Sequence, residues 1–322
     1  MASHGVLVGD IGGTHARFAI LERNGSAARL RDRSDVPDEY PSLAQTLTHY
    51  LDSIDRQRVP DVIVLAVAGP VSRGKARLTN RNWQISESEL LSLGFRSARL
   101  INDFAALAYS ADRLGSADLR YIGPEIPAAA DGTTTILGAG TGFGVSYLAR
   151  CRDHTVALAT EGGHIGFAPQ CREETGLLEA LARRYGRVSV ERILSGPGLE
   201  NLSRVLDEMA GRAVRELTAA QIVEHASQGD AICRAVLARF CSIFGAVAGD
   251  LALAHGARGG VLIAGGIAGK IEPYLMQGAF RESFEAKGRL SSFVKSIPTR
   301  LIVNPDAALL GAARVGEELH PH

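Results

Sequence analysis

The 322-residue chain lacks an excess of charge of either sign: 35 Lys and Arg stand against 35 Asp and Glu. A balanced chain offers no single-signed field to hold nucleic acid or an anionic membrane, so neither is expected as a partner. Cysteine is scarce too. Cys151, Cys171, Cys233 and Cys241 are the only four, and none falls in a C-x-x-C spacing, so no zinc ribbon or dithiol redox motif is written here. Scattered thiols suit a reducing cytosol. No apolar run is expected to reach membrane-spanning length. The start runs from Met1 into a short apolar strand with Asp10 behind it, without the basic stretch and long apolar segment of a secretion signal. These absences point to a cytoplasmic protein that acts on a small neutral molecule.

What is present begins with apolar content. At 46% hydrophobic residues over this length, the chain can bury one large core or two of ordinary size, and two lobes are expected. Val6-Leu7-Val8, a glycine turn Gly9-Asp10-Ile11-Gly12-Gly13-Thr14, and Ala16 to Leu21 read as a β-hairpin. The pattern recurs: Thr134 to Leu137, Gly138-Ala139-Gly140-Thr141-Gly142-Phe143-Gly144, then Val145 to Ala149. Apolar runs at 62–68, 98–101, 260–264 and 299–303 read as further strands. Segments 40–54, 104–114, 177–185, 189–194, 198–209 and 218–255 read as helical, with Ser195-Gly196-Pro197-Gly198 as a break.

Glycine-rich turns let successive backbone N–H groups converge on phosphate oxygens, and each hairpin turn is a candidate cradle; a tight turn with no ligand is the alternative for either alone. Strands follow both turns, which excludes the dinucleotide fingerprint, where G-x-G-x-x-G opens a helix. Gly265-Gly266-Ile267-Ala268-Gly269-Lys270-Ile271 resembles a Walker loop, yet Ala264 stands where the first glycine belongs and Ile271 where the metal-binding hydroxyl belongs. A carboxylate among phosphate-binding amides repels the ligand unless a metal or its waters intervene, so Asp10 points to Mg²⁺. Thr14 and Arg17 are possible further donors. Asn102-Asp103 sits at the tip of a strand, where α/β folds place ligands, and Asp103 is the candidate general base, with helix capping as its alternative role. Glu161-Gly162-Gly163-His164 has glycines that argue against a helical metal pair; on a loop its carboxylate and imidazole suit vicinal hydroxyls, against a structural His as the plain alternative. Glu191 is a weaker candidate beside the 195–198 break.

Taken together, Asp10 to Arg17, Ile101-Asn102-Asp103-Phe104, Gly138 to Gly144, Glu161 to His164, Ser195 to Gly198 and Ile263-Ala264-Gly265-Gly266-Ile267 resemble the bacterial glucokinases over nearly the whole chain. The resemblance implies an α/β chain with the actin-like ATPase (ribonuclease H-like) fold, two lobes with a central cleft: residues 1–110 plus 300–322 as the small lobe and 111–299 as a helix-rich large one. It implies ATP-dependent phosphorylation of D-glucose at the 6-hydroxyl, in a homodimer. Asn102, Asp103, Glu161, His164 and Glu191 would hold glucose, with Asp103 as base. Gly9, Asp10, Ile11, Gly12, Gly13 and Thr14 with Gly138, Gly140, Thr141 and Gly142 would surround the ATP phosphates, Gly265 and Gly266 would meet the adenosine, and Asp10 would reach Mg²⁺ through water. The related ROK sugar kinases follow this Glu-x-Gly-His loop with a zinc-binding cysteine cluster; here Cys171 alone follows, so no zinc is expected. His15 stands where relatives often carry Asn. A kinase for another hexose or amino sugar is the nearest rival. A sugar-sensing regulator is disfavoured because no basic helix-turn-helix precedes the first hairpin.

Overall fold

The computed structural model describes residues 5–12, 15–24, 27–37, 40–78, 83–152 and 154–319. The chain divides into two compact units: Met1–Leu114, Thr155–Ala157 and Asn304–His322 form one, and Gly115–His154 with Leu158–Val303 the other. In chain order the first unit carries β1 (Gly5–Ile11), β2 (His15–Asn24), β3 (Ala27–Pro37), β4 (Val62–Val67), β5 (Val71–Ser72), β6 (Lys75–Arg77), β7 (Gln84–Ser86) and β8 (Ser97–Asn102). The rest of the chain adds β9 (Leu119–Tyr121), β10 (Thr134–Ala139), β11 (Phe143–Cys151), β12 (His154–Thr160), β13 (Gly260–Ala264) and β14 (Thr299–Ile302). The return to the first unit expected at residue 300 thus falls inside β14, which pairs with β13.

The two main sheets share one topology. The first runs β3-β2-β1-β4-β8 and the second β12-β11-β10-β13-β14, with β9 added at its edge. Each opens with an antiparallel hairpin, β1–β2 or β10–β11, whose first strand then pairs in parallel with a later one, β4 or β13. A short antiparallel sheet, β5-β6-β7, accompanies the first.

Alternation explains how the first sheet is covered. Val6 and Val8 of β1 join Val62 and Val64 of β4 against Leu309, Ala312 and Ala313 of the closing helix Ala307–Glu318. Leu7 and Ile11 turn to the other face, where Phe18, Ile63 and Leu65 pack with Leu43, Leu47 and Tyr50 of the helix Leu43–Asp52. β4 is buried at every position, as a central strand covered on both faces must be.

The second unit is organised on the helix Ala231–His255. Phe244 meets Phe143 edge-on with centroids 5.6 Å apart and Phe280 at the same distance. This helix corrects the expectation that no apolar run reaches membrane-spanning length: by length and composition it does. It is apolar over most of its circumference because its own unit encloses it, including Phe240, Phe244, Ala248 and Ala252.

Three helical expectations also change. Segment 189–194 forms only the single turn Val190–Arg192. Ser195-Gly196-Pro197-Gly198 starts a helix instead of breaking one: Ser195 Oγ accepts the Gly198 N–H at 3.0 Å, and Pro197 sits in the first turn of Gly196–Met209, where its missing N–H costs nothing. Segment 218–255 is two helices, Ala219–Ser227 and Ala231–His255, the second capped by Asp230 Oδ1 accepting from Ile232 and Cys233 N–H.

One buried cation ties this unit together. Arg281 donates to Ile297 O (2.8 Å), Thr299 Oγ1 (3.1 Å), Lys295 O (3.0 Å) and Glu285 Oε1 (2.7 Å). Arg281→Ala strands these acceptors, and urea unfolding is expected to show a loss of about 3 kcal/mol. An unchanged midpoint would contradict this.

Candidate functional site

In the first unit, Gly9, Asp10 and Ile11 end β1 and Gly12 follows them; Gly13 and Thr14 lie outside the described residues. Asp10 faces Arg17 across the hairpin, and Arg17 Nη2 donates to Asp10 Oδ2. The same guanidinium donates through Nη1 to Pro305 O at 2.7 Å, which ties Pro305 to β2. The cross-strand position of Arg17 opposite Asp10 is the signal in the sequence that its guanidinium has a partner.

β8 delivers Asn102 and Asp103. Asn102 Oδ1 accepts from Phe104 N–H (3.0 Å) and Ala105 N–H (3.1 Å), while Nδ2 donates to Gly69 O (3.1 Å) and Asp103 Oδ1 (2.9 Å). Asn102 is therefore the cap of the helix Asp103–Ser110, with both lone pairs and both amide hydrogens in use. The capping role weighed for Asp103 therefore falls to its neighbour, and Asp103 is the first helical residue. Burial, and then the Asp10 carboxylate, push the Asp103 carboxyl up to about 7, against hydrogen bonds from Phe104, its own backbone and the Asn102 amide. A half-buried carboxyl at a strand tip that titrates near neutrality is matched to accept a proton from an alcohol.

In the second unit, β10 ends in Gly138 and Ala139, and Gly140, Thr141 and Gly142 make the turn into β11, closed by Gly140 N–H donating to Gly142 O at 2.8 Å. Parallel pairing sets Ala264 beside Gly138, so Gly265 (φ 93°) and Gly266, which opens the helix Gly266–Lys270, follow at the same end of the sheet. The Walker-like stretch is therefore a strand, a turn and a short helix. Glu161 precedes the single turn Gly162–His164, and its Oε2 lies 3.9 Å from His164 Nε2, both side chains exposed. This turn packs on β11 so tightly that a Cβ at Gly163 would lie 2.1 Å from Phe143 O, which is why glycine is needed there. Glu191 reaches the same residue from the other side, its Oε2 accepting the Phe143 N–H at 2.8 Å. Gly138, Gly140, Thr141, Gly142, Glu161, His164, Glu191, Gly265 and Gly266 all belong to this unit.

One metal-capable cluster occurs elsewhere among the described residues, His225, Asp230 and Cys233. Its carboxylate is committed, since Asp230 caps the long helix and pairs with Arg215 at 3.0 Å.

Two sheets of one topology, each opening on a hairpin with a glycine-rich sequence, make the actin-like ATPase fold, and the relatives that share it here are sugar phosphotransferases. The family model described as Glucokinase matches residues 7–319. A glucokinase of Caulobacter sp. strain K31 is 50% identical over 309 residues, covering 95% of this chain and 93% of that one. The crystal structure of a glucokinase from an Antarctic psychrotroph superposes with a TM-score of 0.89 at 36% identity, over 98% of this chain and 99% of its own. A ROK family glucokinase from Streptomyces griseus, solved with glucose and AMPPNP, shares the fold at a TM-score of 0.65 and 18% identity, over 98% and 99% of the two chains. The chain belongs to the glucokinase family.

Proposed function

We propose that this chain transfers the γ-phosphoryl group of ATP to the 6-hydroxyl of D-glucose, giving glucose 6-phosphate and ADP. The observation that carries the reading is Asp103, a carboxyl held near neutral pH at the tip of β8. Asp103 accepts the hydroxyl proton as the phosphoryl group arrives, and Asn102 fixes its orientation. For Asn102 to touch the sugar as well, one of its four bonds must be exchanged. Glu161 and His164, exposed on one turn, and Glu191 hold sugar hydroxyls. Amides of the two glycine turns, 9–14 and 138–142, bind the phosphates, and Gly265-Gly266 lies under the adenosine. Phosphoryl transfer asks little covalent chemistry of a protein, so positioning and charge neutralisation supply most of the rate.

The donor chemistry fits Mg²⁺. Asp10 is a hard oxygen donor at a candidate phosphate turn: Arg17 takes its Oδ2, Oδ1 would be the oxygen that meets the ion's water, and its charge already weighs on Asp103. Asp10 would hold the ion through water; when bound, it neutralises charge on the phosphate oxygens.

The same reading makes the enzyme a cytoplasmic homodimer, the latter to be checked by analytical ultracentrifugation. Substrate choice is tested by kcat/KM across glucose, mannose, fructose, glucosamine and N-acetylglucosamine with ATP and Mg²⁺. Glucose is expected to lead by about 10²-fold or more, because a site that bonds each hydroxyl penalises analogues that leave its polar groups unpaired. A preference for another of these sugars would overturn the glucose reading while leaving the kinase reading intact.

A further inference from the structure

Phe143, the first residue of β11, is where three segments of the second unit meet. Its N–H donates to Glu191 Oε2 at 2.8 Å, its carbonyl lies against Gly163 of the Glu161–His164 turn, and its ring packs edge-on against Phe244. Glu191 is itself fixed from behind. Ser195 Oγ donates to its carbonyl at 2.8 Å, and the preceding residue's N–H, that of Val190, donates to Ile165 O at 3.0 Å. A second tie reaches the far end of the glycine turn, where Gly196 N–H donates to Gly140 O at 2.8 Å. Residues 140–142 are therefore clamped at both ends by the 191–196 segment. The fit leaves no slack: a Cβ on Gly142 would lie 2.6 Å from Glu191 Oε2.

We infer that Glu191 is a positioning residue for the 138–142 phosphate turn as well as a sugar contact, so that one carboxylate serves both substrates. Oε2 sets the turn through the Phe143 N–H, and Oε1 is the oxygen offered to a sugar hydroxyl. An amide bonded to a carboxylate makes a short, strong contact that fixes the direction of the neighbouring N–H groups, which is what a phosphate cradle needs. A hydroxyl bound at Oε1 restrains rotation of the whole carboxylate, so the sugar stiffens the turn. By linkage the nucleotide must then tighten the sugar to the same extent. The inference rests on the proposed function in taking this turn as a phosphate site and Glu191 as facing the sugar.

The test is calorimetric titration of AMPPNP with Mg²⁺ in the absence of sugar, for the wild-type chain, Glu191→Gln and Glu191→Ala, each checked for folding by thermal melt. Glu191→Ala is expected to raise the AMPPNP Kd about tenfold, the loss of one charge-assisted hydrogen bond. Glu191→Gln is expected to stay within about threefold, because its amide oxygen still accepts the Phe143 N–H. A role confined to the sugar would leave nucleotide affinity unmoved when no sugar is present. Should Glu191→Ala fail to fold, Glu191→Asp decides: its carboxylate, one methylene shorter, is drawn back from the Phe143 N–H, so a rise of about tenfold in the AMPPNP Kd without sugar supports the inference and a value within about twofold of wild type contradicts it. An Ala variant within twofold of wild type also overturns it. If the wild-type chain binds glucose and AMPPNP, such a result removes only this inference; if it binds neither, the proposed function falls with it.

Discussion

Asp103→Asn is expected to lower kcat roughly 10² to 10⁴-fold, with a far smaller change in the KM for glucose. The substitution is nearly isosteric. An amide oxygen at the Asp103 Oδ1 position still accepts the Phe104 N–H, and Asn102 still caps the helix, so the backbone that presents residue 103 is preserved. What disappears is the group proposed to take the proton as the phosphoryl group arrives. Positioning and charge neutralisation remain, which is why the expected loss is that of a general base and not of the whole rate enhancement. A continuous assay of ADP release at saturating ATP and varied glucose measures both constants, and near-wild-type turnover would refute the assignment. The substitution also has a stability signature. The folded-state pKa of Asp103 is raised to about 7, well above the ordinary carboxylate range. Stability from the neutral carboxyl is thus fully present below about 4 and is lost as pH rises through about 7. Asp103→Asn escapes that loss, and at pH 8 it is expected to melt above the wild-type chain, as removal of a strained functional group often does.

The second large effect is on pH. In the proposed role Asp103 works as the carboxylate, so kcat/KM is expected to rise with pH to a plateau above about 7, with one ionisation governing the acid limb. Below the midpoint the rate constant falls about tenfold per unit, so at pH 5 it stands about 100-fold under the plateau. Two causes set the midpoint, burial first and the Asp10 carboxylate second, and they can be separated. Asp10→Asn removes the nearby negative charge, and the acid limb is expected to move to lower pH while staying above an ordinary carboxylate value, because burial persists. The height of the profile will also drop if Asp10 serves the metal, but the midpoint is read from the shape. A limb that does not move would show that Asp10 has no electrostatic hold on Asp103.

Much of this arrangement can be read from residue pattern, for identifiable reasons. Both glycine hairpins appear where the motifs place them, since strand, glycine turn and strand are each local signals. β4 and β13 appear as continuous apolar runs because central parallel strands are buried on both faces. β3 and β12 carry no such signal: the AARLRDRSDVP of β3 is dense in charge, and β12 has no fully buried residue, so their pairing on the outer side of each hairpin shows only in three dimensions. The 195–198 stretch reads as a break because glycine and proline punctuate chains, yet Ser195 as a cap and Pro197 in the first turn make the same residues a helix start. For the site, residue types and order mark Asp10, Asn102, Asp103, Glu161, His164 and Glu191, but their bonds are invisible in sequence. That the Asn102 amide reaches Gly69 O, that Arg17 joins Asp10 to Pro305, and that Glu191 holds the Phe143 N–H are long-range facts, with 33, 288 and 48 residues separating the partners of the Gly69, Pro305 and Phe143 contacts.

A structure of the chain with glucose and AMPPNP bound tests the central claim most directly. The account requires the Asp103 carboxylate to stand within hydrogen-bonding distance of the sugar's 6-hydroxyl, with the nucleotide phosphates against the amides of both glycine turns. Glucose bound with its 6-hydroxyl turned away from Asp103, or phosphates bound elsewhere, would contradict it.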